Sequence, residues 1–344
     1  MLDGACRLDK LVNRAVELDF PSLAITDHGV MHGAVDFYQQ AKRKDLKPII
    51  GCEMYIAPGS RFDRKANSRT GKDGYNHLLL LAENEIGYQN LVRLTTAAHL
   101  EGFYYKPRID KELLEAHHEG IIAFSGCLAS EIPQAIMRDD PDKARAAIDW
   151  FKQLFGKERF FLELQNHGLN EQAKVNAQLI PWAKEFDLNL VATNDVHYIE
   201  RDHSHAHDAL ICIGTQTHLT DPNRMNYAPE QFYLRSADEM AALFSEVPEA
   251  VRNTMAVAEQ CNVEIELGKL HYPVFEPPEG FTGEGYLRHL MTDGLEKRYG
   301  IKAKDKGGAY EIRSIRDAST LPTLQATEDT DKTDPKDPAV AAAL

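Results

Sequence analysis

The feature that most constrains the fold is an alternation of short apolar runs with helical patterns. The runs are "SLAIT" (22–26), "KPIIGCEMYIA" (47–57), "HLLLLA" (77–82), "GIIAFS" (120–125), "RFFLELQ" (159–165) and "LNLVATN" (188–194). Between most of them lie stretches with apolar residues at helical spacing, such as "IGYQNLVRLTTAAHL" and "PDKARAAIDWFKQLFG". Repeated strand-then-helix units predict a parallel sheet, open or closed into a barrel. The exception is "PGSRFDRKANSRTGKDGYN" (58–76), a polar loop.

Ionisable residues recur where these runs begin or end. "LAIT" leads into Asp27 and His28, "KPIIGC" into Glu53, and "GIIAFSG" into Cys127, while His77 opens its own run. "VATN" leads into Asp195 and His197, and residues two apart on a strand face the same side. In parallel α/β barrels the C-terminal strand ends share one face, so residues distant in sequence meet there. Mixed N, O and S donors favour Zn²⁺, Mn²⁺ or Fe²⁺ over Ca²⁺ or Mg²⁺. Two or three such metals activate water and clamp the oxygens of a phosphate ester, so phosphoester hydrolysis is the expected chemistry. Taken singly, these residues have plainer roles. Asp27 reads equally as a helix cap, and Cys127 as a small buried residue. "HSHAH" (203–207) reads as a capping or solvated run, "HH" (117–118) as surface, and His167 as a lining residue beyond a strand end.

Composition sets limits. A hydrophobic share of 43% supports a large core, and no run approaches the roughly 18–20 apolar residues of a membrane span. Five scattered cysteines and an N-terminus without an apolar signal segment suit a cytoplasmic protein with free thiols. A formal charge of −14 argues against a dominant nonspecific nucleic-acid surface, although bound metals would offset acidic ligands locally.

The motifs "AITDHGVMHGAVDFYQQAK", "KPIIGCEMYIAP", "NHLLLLAENEIGYQNLVRL", "FSGCLASEIP", "ELQNHGLNEQ" and "VATNDVHYIERD" resemble the PHP (polymerase and histidinol phosphatase) domain of bacterial replicative polymerase alpha subunits. "GFYYKPRID" and "NYAPEQFYLRS" resemble the polymerase version rather than a free-standing phosphatase. The resemblance covers about residues 1–300. It implies a distorted (β/α)7 barrel with divalent metals at its mouth. Carried over motif by motif, the implied metal ligands are Asp3, His28, Glu53, His77, Cys127, Asp195 and His197, acting in catalysis through Zn or Mn. It further implies 3′–5′ exonuclease potential, with DNA 3′ ends and replisome subunits as partners of the intact parent. Neither a membrane nor a small organic cofactor is implied.

The family's first strand carries His-x-His upstream of "LDGA", whereas this sequence starts at Met1-Leu2-Asp3-Gly4. The expectation is therefore a barrel without its first strand and two of its ligands, with two free sheet edges and weakened hydrolysis. The palm that follows in the family is absent, so DNA synthesis is not expected of this chain. The expected organisation is a phosphoesterase-like barrel over 1–220, the remaining PHP region with a helical linker over 221–300, and a polar, disordered tail over 301–344. Arg61, Arg64, Lys65, Arg69 and Lys72 of the polar loop are candidates to meet a nucleic-acid backbone. Two further readings stand beside hydrolysis of DNA: a non-enzymatic interaction module, and a free-standing phosphatase.

Overall fold

The computed structural model describes residues 3–64, 74–227, 230–270, 272–307 and 309–315. In it the apolar runs become β1 (Ser22–Ile25), β2 (Lys47–Ile56), β3 (Asn76–Ala82), β5 (Ile121–Phe124), β6 (Phe160–Leu164) and β7 (Asn189–Ala192). A two-residue β4 (Arg108–Ile109) pairs with the end of β2. The strands form one sheet in the order β1-β2-β3-β5-β6-β7.

The sheet is not wholly parallel: β3 runs antiparallel to both β2 and β5. A parallel return needs a crossover, usually helical, and the polar stretch between β2 and β3 carries no helical pattern. This reversal has a direct consequence. The beginning of β3 lies beside the end of β2, with His77 paired to Tyr55. A residue that opens its strand thereby joins residues that close theirs.

Alternation along the strands divides the core. One face of the sheet presents Ile50, Cys52 and Met54, with Leu78, Leu80, Ala123, Leu162 and Leu190, all buried. Much of this face packs beneath α3 (Glu85–Leu100), α5 (Glu131–Met137), α6 (Pro141–Phe155) and α7 (Asn170–Glu185). The other face presents Ile49, Leu81, Ile122, Phe124, Phe161 and Val191, packed against Val257 and Ala258 of α10 (Pro248–Gln260). Each fully buried Leu, Ile or Phe contributes about 1.5–3 kcal/mol. A third cluster joins α1 (Leu8–Glu17) and α2 (Ala34–Lys42) to β1 and β2.

Helix starts follow side-chain chemistry. Asn84 accepts a hydrogen bond from Gly87 N–H at the head of α3, and Asp140 accepts from Lys143 N–H ahead of Pro141. Gly87 is required by closeness as well, since a Cβ there would lie 1.7 Å from the Gly120 carbonyl oxygen.

Two compact units are present, Met1–Glu266 and Leu267–Leu344. The second contains α11 (Gly283–Tyr299) and an antiparallel hairpin of β8 (Ile301–Asp305) and β9 (Tyr310–Ile315). The expectation of a structureless tail therefore does not extend to 301–315. There Ile301 and Ala303 pair with Ile315 and Ile312, a period-2 pattern diluted by the charged residues between. Residues 316–344 lie outside the described residues. Among the described residues no helix is long and apolar enough to cross a membrane.

Candidate metal centre

Read along the strands, the inner face changes from apolar to ionisable. Ile49 is followed two and four positions on by Gly51 and Glu53, Leu81 is preceded by Leu79 and His77, and Phe161 is followed by Glu163. Because inward-facing residues alternate, the same row that fills the interior delivers carboxylates and imidazoles to one end.

Glu53, buried at 9% exposure, is the hub. Its Oε1 lies 2.5 Å from His77 Nδ1, and its Oε2 lies 3.7 Å from His28 Nε2. Cys127 Sγ is 3.6 Å from both Glu53 Oε1 and His77 Nδ1. Burial opposes the charge on Glu53, but His77, His28 and His197 outweigh it and hold the carboxyl below its ordinary range. Burial, with Glu53 and Asp195 nearby, pushes the Cys127 thiol well up.

His197 Nε2 stands 3.9 Å from Asp3 Oδ2. Its Nδ1 lies 2.8 Å from the Asp195 carbonyl oxygen, which only accepts. Nδ1 is therefore the donor in that bond, which leaves Nε2 as the ring nitrogen directed toward Asp3 and the one a metal would take. Two groups have donor atoms mutually within 4.8 Å: Asp3, His28 and His197, and His28, Glu53 and His77. They share His28. Cys127 lies against the second group and Asp195 against His197, 3.8 Å from its ring. All seven expected residues thus meet at one end of the sheet.

The reason for one convergence differs from the sequence argument. β7 ends at Ala192, so Asp195 and His197 are not alternate residues of a strand. Asp195 takes a left-handed backbone, φ 44°, uncommon for a side-chain-bearing residue. The loop is held from outside. Phe232 carbonyl oxygen accepts from His197 N–H, Leu234 N–H donates to Ile199, and Arg235 donates to Asn194 Oδ1 at 2.7 Å.

Asp3 precedes α1 with no strand to fix it. Tyr227 Oη donates to its Oδ2 at 2.6 Å, His207 Nε2 donates to its carbonyl oxygen, and Ala5 N–H reaches the His197 carbonyl. Burial opposes its charge, while His28, Tyr227 and His197 draw the carboxyl below its ordinary range. His207, expected in a solvated run, is buried, because α8 (Ser204–Thr215) turns this one imidazole inward.

Tyr227, Phe232 and Arg235 were not singled out from the sequence. Their motif, "NYAPEQFYLRS", was visible, but its partners lie about 30 or more residues away. Glu163 was also missed. It is 4% exposed at the inner end of β6, and its Oε2 has no hydrogen-bond partner.

Other candidates resolve differently. Asp27 stands outside both donor groups and is not the cap of α2, whose N-cap is Gly33 without a side-chain cap; its carboxyl instead accepts a backbone hydrogen bond at Gly33. His167 is wholly buried with both ring nitrogens engaged: Nε2 donates to the Asn194 carbonyl and Nδ1 accepts from Gln172, each at 2.8 Å. Burial lowers its pKa to about 4, so it is a neutral support for the ligand loop. Arg61 is not free to meet a phosphate, being paired with Asp110 at 3.0 Å and Glu101 at 2.8 Å. The described start of its loop lies against the end of α3, where Arg64 donates to the Glu101 carbonyl. Lys65, Arg69 and Lys72 lie outside the described residues.

A cleft of about 960 Å³ opens beside the cluster, with Asp3, His28, Glu53 and His197 at one end and the apolar inner face below. Deep burial of carboxylates is costly unless cations compensate them, and here three carboxylates and a thiol face three imidazoles.

This sheet and mixed N, O and S cluster belong to a recognisable class, and residues 1–167 match the family model of the PHP domain. The chain carries a PHP domain. Over 306 residues it is 44% identical to the DNA polymerase III subunit alpha of Treponema pallidum, and over 308 residues 47% identical to that of Thermus aquaticus. The matches cover 89% and 87% of this chain. A third relative, from Borreliella burgdorferi, is 42% identical over 92% of the chain. The chain spans about a quarter of these relatives, covering 26%, 25% and 28% of their lengths, and matches their N-terminal region.

Proposed function

We propose that this chain is the PHP region of a replicative DNA polymerase alpha subunit and that its cluster hydrolyses phosphodiesters at DNA 3′ ends with Zn or Mn. The observation that carries this reading is the meeting of seven residues at one sheet end: Asp3, His28 and His197 form one donor group, His28, Glu53 and His77 a second, and Cys127 and Asp195 lie against them.

The residues fit such metals. The donors are imidazole nitrogen, carboxylate oxygen and thiol sulfur, and at His197 the Asp195 carbonyl holds Nδ1 and so orients the ring with Nε2 toward the site. Divalent metals bound there would supply Lewis-acid charge to a phosphate ester. The protein's own contribution is placement. Tyr227 and His207 fix Asp3, the segment 232–235 fixes His197, and the apolar interior beneath Glu53 excludes water from one side. In its parent the region would act beside DNA synthesis, with replisome subunits as partners and the cytoplasm as its compartment. The organisation we favour keeps the candidate ligands in 1–220, with 221–300 supplying Tyr227 and the segment 232–235 that position them and then leading toward the polymerase.

A second reading has its own support. Glu53, His77 and Cys127 contact one another without a metal, tying β2, β3 and the turn after β5 together. The cluster then serves as a structural tie in a non-catalytic module.

One experiment separates the two. Metal content by elemental mass spectrometry and release of nucleotides from a 3′-labelled single strand are compared for the chain and its Cys127→Ala/His197→Ala variant. Hydrolysis predicts bound Zn or Mn and nucleotide release in the parent, with release falling by at least about 100-fold in the variant. Equal metal content in both, or a variant that only unfolds more easily while release is unchanged, supports the structural tie. Turnover of a phosphomonoester with none of DNA would point to a free-standing phosphatase.

A further inference from the structure

The turn between α3 and β4, residues 102–107 ("GFYYKP"), has no part in the cluster, yet it presents large aromatic rings to solvent. Phe103 is 53% exposed and Tyr105 is 75% exposed. Tyr105 also holds a left-handed backbone, φ 60°. For a bulky residue that conformation is a true outlier, and such strain concentrates at binding and catalytic sites.

The turn has a rigid base. Tyr104 N–H donates to the Lys106 carbonyl at 3.0 Å, and buried Arg108 donates to the Gly102 carbonyl at 3.1 Å with its guanidinium over the Tyr104 ring. It also lies close to the cluster. A Cβ on Gly29, the residue after His28, would lie 2.9 Å from both Pro107 and Tyr55. The Tyr55 ring is 5.2 Å from the His77 ring and 6.1 Å from that of His28. Lys106 Nζ sits 5.3 Å from the Tyr55 ring, the same ring that meets His28 and His77. The nearby acid Glu101 pairs with Arg61, and among the described residues Lys106 has no carboxylate partner, so its ammonium is available to an anion.

Exposed rings beside a cation are the elements that hold unpaired nucleotides: each base stacks by its π-face and each phosphate meets a positive charge. We propose that this turn is a landing platform for the end of a single-stranded nucleic acid, with Phe103 and Tyr105 stacking on its terminal bases and Lys106 meeting the phosphate that enters the cluster. The inference rests on the hydrolytic reading above and names the residues, outside the cluster, that would hold the strand end.

The test is a binding measurement independent of turnover. The probe is a short DNA strand with phosphorothioate linkages and 2-aminopurine as its 3′-terminal base, titrated with the full chain. The variants are Phe103→Ala and Tyr105→Gly. Glycine favours a positive φ, so Tyr105→Gly removes the ring without penalising the fold.

The expected result is quenching of 2-aminopurine by the parent chain, lost in Tyr105→Gly with Kd raised about 5- to 100-fold. A strand with an abasic 3′ end should bind the parent as weakly as the normal strand binds Tyr105→Gly. Equal affinity and quenching in parent and variants, or equal binding of normal and abasic ends, overturns the platform. If quenching discriminates while unmodified DNA is never cleaved, the platform stands and the hydrolytic reading falls. Cleavage with no discrimination gives the reverse.

Discussion

Glu163 occupies the inner end of β6, where Thr193 Oγ1 and Gln165 Nε2 both donate to its Oε1 and its Oε2 has no partner. Burial raises its pKa from 4.5 to about 7. In the unfolded chain the group ionises near 4.5. The folded state therefore holds the proton more tightly, and stability is full below that pH and lost as pH rises through 7. A shift of this size corresponds to about 3 kcal/mol at pH 8 and much less at pH 5. Glu163→Gln keeps the acceptor oxygen and removes the charge. Urea midpoints in EDTA should show the variant gaining stability at pH 8, with little gain at pH 5. A gain equal at both pH values would mean that ionisation of Glu163 is not its source. Residues of this kind were hard to read from the sequence. Glu163 within "RFFLELQ" looks like any polar residue of a strand, and only the curl of the sheet shows that this position faces inward beside Glu53 and Asp195.

At the scale of elements, β1 and β7 are the two ends of the sheet, and the described residues contain no pairing between them. Unpaired strand edges carry unsatisfied backbone groups and invite wrong partners. α10 covers part of this liability. Thr193 N–H bonds to Leu164 of β6, so by alternation Leu190 points its carbonyl to the free side of β7, where Asn253 Nδ2 donates to it at 2.7 Å. Asn253→Ala should cost about 1 kcal/mol and increase self-association, read from a urea midpoint and from sedimentation. A variant that stays as stable and as monomeric as the parent would show that the edge is protected by something else. The elements themselves were largely legible. α3 and α7 fall within a residue or two of their sequence patterns, and so do the six main strands, because apolar period and caps are local signals. The reversed β3 was not legible, since orientation depends on whether a crossover exists. Nor was the pairing of the 194–199 loop with 232–235, which joins segments far apart in sequence. Most candidate ligands were visible beside apolar runs of the sequence, but the groups that aim them were not.

For the molecule as a whole, the seven candidate ligands all belong to Met1–Glu266, and none falls in Leu267–Leu344. They come from the N-terminal segment, the β1, β2 and β3 ends, the turn after β5 and the loop after β7. A metal bound by them would tie the N-terminal segment, held there by a few contacts around Asp3 and His197, to the strand ends and loops of the sheet. Binding to the folded state alone stabilises it by an amount that grows with ligand concentration, about 2.7 kcal/mol at a hundred times Kd. That energy reaches every amide whose exchange requires the first unit to open. Amide hydrogen exchange with Zn or Mn near a hundred times Kd, compared with EDTA, should therefore show protection up by about 100-fold through β2, β3 and β5–β7. Exchange in α11 and the β8–β9 hairpin should be unchanged. A uniform rise in both units would show that the metal acts by a route other than this cluster, and no rise in either would remove the metal from the account of the fold. The confined pattern is the one the placement of the candidate ligands requires, since all of them lie at one end of the sheet of the first unit, on its strands or on the segments beside them.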